Sequence, residues 1–378
     1  MSSVYIEKNA ERVSDLNVLH ISRTMGQGGA EKIVYQLAIG LKDNLGNVFV
    51  ASSGGVYARK LEEENIRHFQ IFDLECKKPW IMFQTLMKLK DIIEQEHIDI
   101  VHTHHRMAAV YAFLLKHIFP GIRLIYTAHN IFSDKKWLTH LVLSHVSIVA
   151  VGKNVYDNLI HYFKISPKNI RIIYNAVQIE PIQEEYKNLQ LEELKRQDAV
   201  LIGVIGRLSK QKGIDVFIKV IYELRKRDKR IKGIVIGEGE LRKELEVQAE
   251  NLHIQDSIFF LGYQQHVTTL ISQIDMVIMP SQWEGFPLLP IEVFSQGGLL
   301  IGNDIGGINE IVRDGENGRL ISKNNIEAFV RETAELLLHP EYGEAMRKNA
   351  LAYYNQNFSY DNFVKEYSWL YKDVMREG

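Results

Sequence analysis

The chain has 378 residues, 46% of them hydrophobic and 24% charged, with a net charge of −2 at pH 7 and one cysteine, Cys76. That length exceeds one ordinary hydrophobic core and fits two α/β domains, and the composition excludes a disordered or fibrous chain. A lone cysteine excludes both an intrachain disulfide framework and a cysteine-cluster metal site.

The opening stretch MSSVYIEKNAERVSDL has no basic-then-apolar signal pattern, and no uncharged apolar run approaches about 18 residues. A cytoplasmic protein is expected, with peripheral contact at the inner face of a membrane as its closest approach to lipid. Short β-branched runs then alternate with helical patterns: LNVLHIS (16–22), NVFVASS (47–53), IDIVHTH (98–104), IRLIYTAH (122–129) and VSIVAVG (146–152). Such alternation is how parallel sheets with crossover helices are written. Residues 178–197 are polar, lack a buried-strand pattern and read as a connection between domains. The alternation resumes with AVLIGVIGRL (199–208), IKGIVIGEG (231–239), SIFFLGY (257–263), IDMVIMP (274–280) and LLIGND (299–304). Near-continuous apolar strands imply that both sheet faces are covered, so each half is predicted to be a doubly wound sheet. In the tail, Phe363, Tyr367, Leu370, Tyr371 and Val374 recur at helical spacing.

Charge is unevenly divided at Val177. The first part holds 21 Lys and Arg against 16 Asp and Glu, a balance of +5, which leaves 24 against 31, or −7, for the remainder. A modest positive excess favours an anionic partner, either a membrane surface or a phosphorylated acceptor; the plain alternative is uneven surface charge with no role. The segment 77–93 mixes Lys77, Lys78, Lys88 and Lys90 with Trp80, Met82, Phe83 and Leu86. It reads equally as a membrane-surface helix and as an ordinary helix over the first sheet.

In doubly wound sheets ligands bind beyond the carboxyl ends of the strands, and the unusual loops of this chain fall there. One cleft between two facing sheets is expected. In TMGQGGAEK, Gly26, Gly28 and Gly29 permit positive φ and close backbone approach at a helix start suited to phosphate. Glu31 stands where a dinucleotide fingerprint needs glycine. In GRLSKQKG, Arg207 and Lys212 supply two cations suited to a diphosphate. In SQWEGFPLLPIEV, a helix starting near Leu288 with Pro290 in its first turn places Glu284 before it and Glu292 early within it. Both carboxylates can accept from hydroxyls, while the N–H groups of Gly285, Phe286 and Leu288 line the helix start. A ligand with hydroxyls at two ends and a diphosphate between them satisfies every group, and that describes a sugar nucleotide. Paired carboxylates also suit glycoside hydrolysis, which has no need of the two cations. His129, ending IRLIYTA, can hydrogen-bond a hydroxyl or a developing charge. In HTHHR (102–106) adjacent residues point to opposite faces and no carboxylate is near, so no metal site is expected there. FSDKKWLTH (132–140) follows His129 and offers acceptor contacts.

The motifs GQGGAEK, TAHN, YNAV, GRLSKQKG, IGEGELRKEL, FFLGY and EGFPLLPIE, in this order, resemble the family-4 type retaining glycosyltransferases of the GT-B fold along nearly the full chain. The last motif matches that family's Glu-x7-Glu signature. The resemblance implies two facing Rossmann-like domains, 1–177 on the acceptor side and 178–359 binding the sugar nucleotide, with residues 360–378 forming a helix that crosses back onto the first. It implies transfer from a nucleoside-diphosphate sugar, here a UDP-sugar, with retention and without metal or cofactor, by a front-face reaction in which the departing phosphate oxygen deprotonates the acceptor hydroxyl. By the same resemblance His129, Arg207, Lys212 and Glu284 are catalytic, and Gly28, Gly29, Glu238, Tyr263, Gly285, Phe286, Pro287, Leu288 and Glu292 bind the donor. Arg106, Lys135 and Lys136 are assigned to a lipid-linked or polymeric glycan acceptor; no nucleic acid is expected. GFPLLP replaces the commoner GFGLP, and GGLLIGND lacks a frequent proline, departures that bear on the identity of the sugar. Two other readings make separate predictions: a sugar-nucleotide 2-epimerase of related fold changes the sugar without an acceptor, and a non-catalytic sugar-nucleotide-binding protein shows no turnover.

Overall fold

The computed structural model describes residues 15–376; the extension read before the first strand lies almost wholly outside them. The chain divides into two compact units at Ala176/Val177, one residue before the boundary read from the sequence, and returns to the first unit at Tyr360.

Among the described residues, the first unit is a seven-stranded parallel sheet of order β3-β2-β1-β4-β5-β6-β7. Its strands are β1 (Asn17–Ile21), β2 (Asn47–Ser52), β3 (His68–Gln70), β4 (Ile100–Thr103), β5 (Arg123–Ala128), β6 (Ser147–Ala150) and β7 (Ile170–Ile172). Helices α1 (Gly29–Leu41), α2 (Val56–Glu63), α3 (Pro79–Gln95), α4 (Arg106–Ile118), α5 (Lys136–Leu143) and α6 (Lys153–Asp157) make the crossovers. The central strands are buried along almost their whole length because VLHI and IVHT must face helices on both sides. The short edge strands β3 and β7 escaped the sequence reading.

In the second unit the order is β10-β9-β8-β11-β12-β13. It comprises α7 (Leu189–Arg196), β8 (Val200–Ile205), α8 (Ile214–Arg227), β9 (Ile231–Ile236), α9 (Arg242–Asn251), β10 (Ile258–Gly262), α10 (Val267–Gln273), β11 (Met276–Met279), α11 (Leu289–Ser295), β12 (Leu300–Asn303), β13 (Arg319–Ile321), α12 (Ile326–Leu338) and α13 (Pro340–Asn357). Asn188 caps α7 by accepting from the N–H groups of Gln190 and Leu191. The polar stretch taken for a connection therefore holds a short helix of the second unit. Helix α8 buries Ile214, Phe217, Ile218 and Ile221 and carries Arg225, Lys226 and Arg227 in its last turn, where cations suit the helix dipole.

The final helix, α14 (Tyr360–Arg376), packs on the first unit. Tyr367 and Tyr371 are wholly buried, the Tyr360 hydroxyl donates to the Gln36 carbonyl at 2.5 Å, and Tyr371 hydrogen-bonds His102 Nδ1 at 2.7 Å. Gly40 of α1 is required by this packing, since a Cβ there would lie 2.3 Å from Val364 Cγ2.

Candidate active site

In the second unit the strand order reverses between β8 and β11, so the loops after these two strands flank the switch point where doubly wound sheets bind ligands. These loops are GRLSKQKG and SQWEGFP. They are clamped together: the Gln282 N–H donates to the Gln211 carbonyl at 2.7 Å, and Gln211 Nε2 donates to the Trp283 carbonyl at 2.9 Å. Gly213 has φ +64°, and a Cβ on it would stand 2.2 Å from the Pro280 carbonyl oxygen. The clamp sets Lys212 Nζ 2.6 Å from Glu284 Oε1, with Glu284 only 6% exposed. Two residues assigned separately from the sequence thus form one ion pair. Arg207 lies exposed at the end of β8, and none of the described residues pairs with it.

Helix α11 starts where expected, with Leu288 as its cap residue and Glu292 in its first turn. The turn Gly285–Phe286–Pro287–Leu288 is buried. It is supported by Gly307, whose φ of +88° and lack of a Cβ let the backbone approach; a Cβ there would meet the Gly285 carbonyl oxygen at 2.5 Å. Asn303 Nδ2 donates to the Ser281 carbonyl at 3.0 Å, tying the end of β12 to the same loop. Gln211, Gly307 and Asn303 were not singled out from the sequence. An NDIGG turn following a buried strand was the available signal.

The loops after β8, β9 and β10 also interlock. A Cβ on Gly237, φ +136°, would lie 2.0 Å from the Gly206 carbonyl oxygen, and the Gly237 N–H donates to the Gly262 carbonyl at 2.8 Å. Glu238 is exposed and paired with Arg242, and Tyr263 is 41% exposed. Both sit at this rim.

In the first unit the order reverses between β1 and β4. None of Gly26, Gly28 and Gly29 takes the positive φ anticipated for them. At Gly28 a Cβ would lie 2.2 Å from Oε2 at the end of the flexible Glu31 side chain, which would have to shift. Glu31 Oε1 accepts from the Thr24 hydroxyl at 2.7 Å, so a carboxylate already stands at this helix start, and a phosphate there would meet like charge first.

His129 is half-buried at the end of β5, its Nε2 3.0 Å from His104 Nδ1. His104 Nε2 lies 3.0 Å from His20 Nδ1, and His102 lies tilted beside them, its ring centroid 4.2 Å from that of His104. Alternation puts neighbours in HTHHR on opposite faces, but His102 and His104, two apart, share a face, with His20 in register with His102 across β1 and β4. Three imidazoles therefore gather within 4.8 Å, and the group consists of histidines alone. Burial pushes the His20 pKa down to about 3 and that of His129 to about 4, and holds His102 and His104 well below the ordinary value. All four rings are neutral near pH 7.

The residues assigned to the acceptor lie at the start of two helices of the first unit. Arg106 is paired with Asp134 at 2.7 Å and lies 3.9 Å above the Phe132 ring, so it is an internal strut as much as a surface cation. Lys135 and Lys136 are exposed at the start of α5. Arg106 and Lys135, with Met107, Leu138, Val142 and Leu143, line a cavity of about 90 Å³.

Comparison with known proteins accords with this arrangement. The family described as Glycosyltransferase Family 4 matches residues 27–181, and the family described as Glycosyl transferases group 1 matches residues 186–352. The chain is 24% identical over 312 residues to N-acetyl-alpha-D-glucosaminyl L-malate synthase of Bacillus anthracis, covering 77% of this chain and 78% of that protein. It is 24% identical over 368 residues to the phosphatidylinositol N-acetylglucosaminyltransferase GPI3 subunit of Saccharomyces cerevisiae, covering 94% and 76%. The structure of Anabaena Alr3699/HepE in complex with UDP-glucose superposes with a TM-score of 0.83 at 18% identity, covering 95% of this chain and 100% of that one. Two parallel-sheet α/β domains of these kinds define a GT-B glycosyltransferase. The chain belongs to the family-4-like glycosyltransferases, a Family 4 domain followed by a group 1 domain.

Proposed function

We propose that this glycosyltransferase moves a hexose or N-acetylhexosamine from a UDP-sugar to a lipid-linked or polymeric glycan acceptor of the cell surface, with retention and without a metal. The observation that carries the reading is the Lys212 and Glu284 pair at the switch point of the second unit, with Arg207, exposed and unpaired among the described residues, on the same loop as Lys212. A cation held by a buried carboxylate is pre-oriented, so little reorganisation is needed when negative charge arrives. Arg207 adds a planar fork that grips phosphate oxygens. In the proposed step the bond from C1 of the sugar to the diphosphate oxygen breaks, and its electron pair stays on that oxygen, facing Arg207 and Lys212. The acceptor oxygen bonds to C1 on the same face, and its proton passes to the departing phosphate oxygen. The two cations then do the work a divalent ion would otherwise do. Glu284 is assigned to hydroxyls of the transferred sugar, Glu292 to ribose hydroxyls, the rim at Glu238 and Tyr263 to the nucleobase, and His129 to a substrate oxygen.

The UDP-glucose complex of the Anabaena protein and the N-acetylglucosaminyl relatives support the donor, and the phosphatidylinositol relative supports a lipid-linked acceptor. Peripheral contact with an anionic membrane is supported by Trp80, Phe83 and Trp137, which are 61%, 63% and 75% exposed on α3 and α5 beside Lys77, Lys78, Lys135 and Lys136. Among the described residues no helix is long and apolar enough to cross a membrane. The test is release of nucleoside diphosphate from a panel of sugar nucleotides, with and without lipid-linked and polymeric acceptors, in chelator. Acceptor-dependent release from a UDP-sugar with an α-linked product is expected. Activity abolished by chelator, or a sugar altered with no acceptor present, would contradict the proposal.

A further inference from the structure

His129 meets its surroundings with one ring nitrogen already committed. Its Nε2 faces His104 Nδ1, and His104 Nε2 faces His20 Nδ1, each at 3.0 Å. The rings of both pairs are stacked, with centroids 5.3 Å apart. Among the described residues, His20 Nε2 at the inner end of the row is buried and has no hydrogen-bond partner, and at the outer end no protein group takes His129 Nδ1. His102 cannot reverse the row, since both its nitrogens are engaged at 2.7 Å, Nδ1 with the Tyr371 hydroxyl and Nε2 with the Thr127 hydroxyl.

A neutral imidazole has one N–H and one bare nitrogen. Because His104 belongs to both links, the two links must point the same way. If protons point inward, His129 Nε2–H donates to His104, His104 Nε2–H donates to His20, and His20 is left with a buried N–H that has no acceptor. If they point outward, His20 Nδ1–H donates to His104 Nε2 and His104 Nδ1–H donates to His129 Nε2. What remains unpaired is then a bare lone pair on His20. Orphaned buried N–H groups are the rarer and costlier kind, so the outward arrangement wins.

We propose that His20 and His104 are positioning residues that lock His129 in its Nδ1–H tautomer, so that toward substrate it donates a hydrogen bond and does not act as a base. The lock rests on the reading that His129 meets a substrate oxygen. It follows that His104→Asn, whose amide N–H can stand near the place of Nδ1–H, retains most turnover, whereas His104→Leu lowers kcat about tenfold, the value of one oriented hydrogen bond.

The direct test is a long-range proton–nitrogen NMR spectrum of the full chain labelled with ¹⁵N-histidine, at pH 7.5, with His129→Gln used for assignment. The expected spectrum shows His129, His104 and His20 all as neutral Nδ1–H tautomers. An Nε2–H pattern or an imidazolium at His129 would overturn the lock, as would stoichiometric zinc retained by the cluster after dialysis against chelator. The wild-type spectrum decides even where a variant fails to fold. Full turnover in His129→Ala would overturn the donor role together with the reading it rests on; a wrong nitrogen pattern in an enzyme that still depends on His129 would overturn the lock alone.

Discussion

Lys212 Nζ donates to Glu284 Oε1 across 2.6 Å, from a side chain 22% exposed to one 7% exposed. The carboxylate is too buried to be left charged without its partner, and the ammonium is held where a diphosphate is proposed to arrive. Lys212→Ala is therefore expected to act twice. It takes the Lys212 charge away from the buried Glu284 carboxylate, costing about 1–3 kcal/mol of stability, and it lowers turnover by about 10²-fold or more. Lys212→Ala combined with Glu284→Gln should recover much of the stability and none of the turnover. Chemical denaturation and nucleoside-diphosphate release on the same preparations check both halves.

Arg207 makes the complementary case. It is exposed and unpaired among the described residues, so Arg207→Ala should shift stability by no more than about 0.5 kcal/mol while turnover falls steeply. A loss of turnover matched by a loss of fold would place Arg207 in the scaffold instead.

The turn that carries Glu284 depends on Gly307. A Cβ at that position would press on the Gly285 carbonyl oxygen at 2.5 Å in a backbone region that side chains avoid, whereas Gly297, at φ +58°, has nothing within 4 Å. Gly307→Ala should cost about 1–3 kcal/mol and much of the activity. Gly297→Ala should cost about 1 kcal/mol or less and leave activity unchanged. Melting curves and initial rates of the two variants, measured side by side, separate steric conflict from conformational preference.

Helix α14 is anchored to the first unit by buried hydroxyls more than by surface charge. Tyr371→Phe leaves His102 Nδ1 without its partner at 2.7 Å and should cost about 1–3 kcal/mol. Arg171→Ala breaks an exposed pair with Asp373 and should cost about 0.5 kcal/mol or less. Equal losses in urea denaturation would contradict this ranking.

The buried histidines also set a pH dependence. Their native pKa values lie below the ordinary one near 6.5, with His20 at about 3 and His129 at about 4, so between 6.5 and those values the unfolded chain binds more protons. Stability is full above about pH 6.5 and declines as pH falls toward 4, with a limiting slope of about 1.4 kcal/mol per pH unit for each such histidine. Melting temperature followed from pH 7.5 to 4.5 should fall, and fall less steeply in His20→Gln.

Much of the fold was legible because a strand covered on both faces must be written almost wholly in apolar residues, as AVLIGVI and IDMVIMP are. The edge strands HFQ, IRI and RLI, of three residues each, carry too little of that signal. Glycine could be read as a need for unusual backbone but not as where: Gly213 and Gly307 take positive φ, while Gly28 does not. The places of Arg207, Lys212, Glu284 and Glu292 at the ends of buried strands were legible from the loops that hold them. The pairing of Lys212 with Glu284 and the histidine row were not, because the first joins residues 72 positions apart in sequence and the second residues 25 and 84 positions apart. Period-two alternation, applied to His102 and His104 instead of to immediate neighbours, would have exposed part of that row.

The cations at the end of β8 are proposed to receive the diphosphate of a sugar nucleotide. A crystal structure of the protein with UDP tests it most directly. Phosphate oxygens are expected within hydrogen-bonding distance of both the Arg207 guanidinium and Lys212 Nζ; a pyrophosphate bound elsewhere, with the Lys212 and Glu284 pair undisturbed and Arg207 still in solvent, would contradict this role.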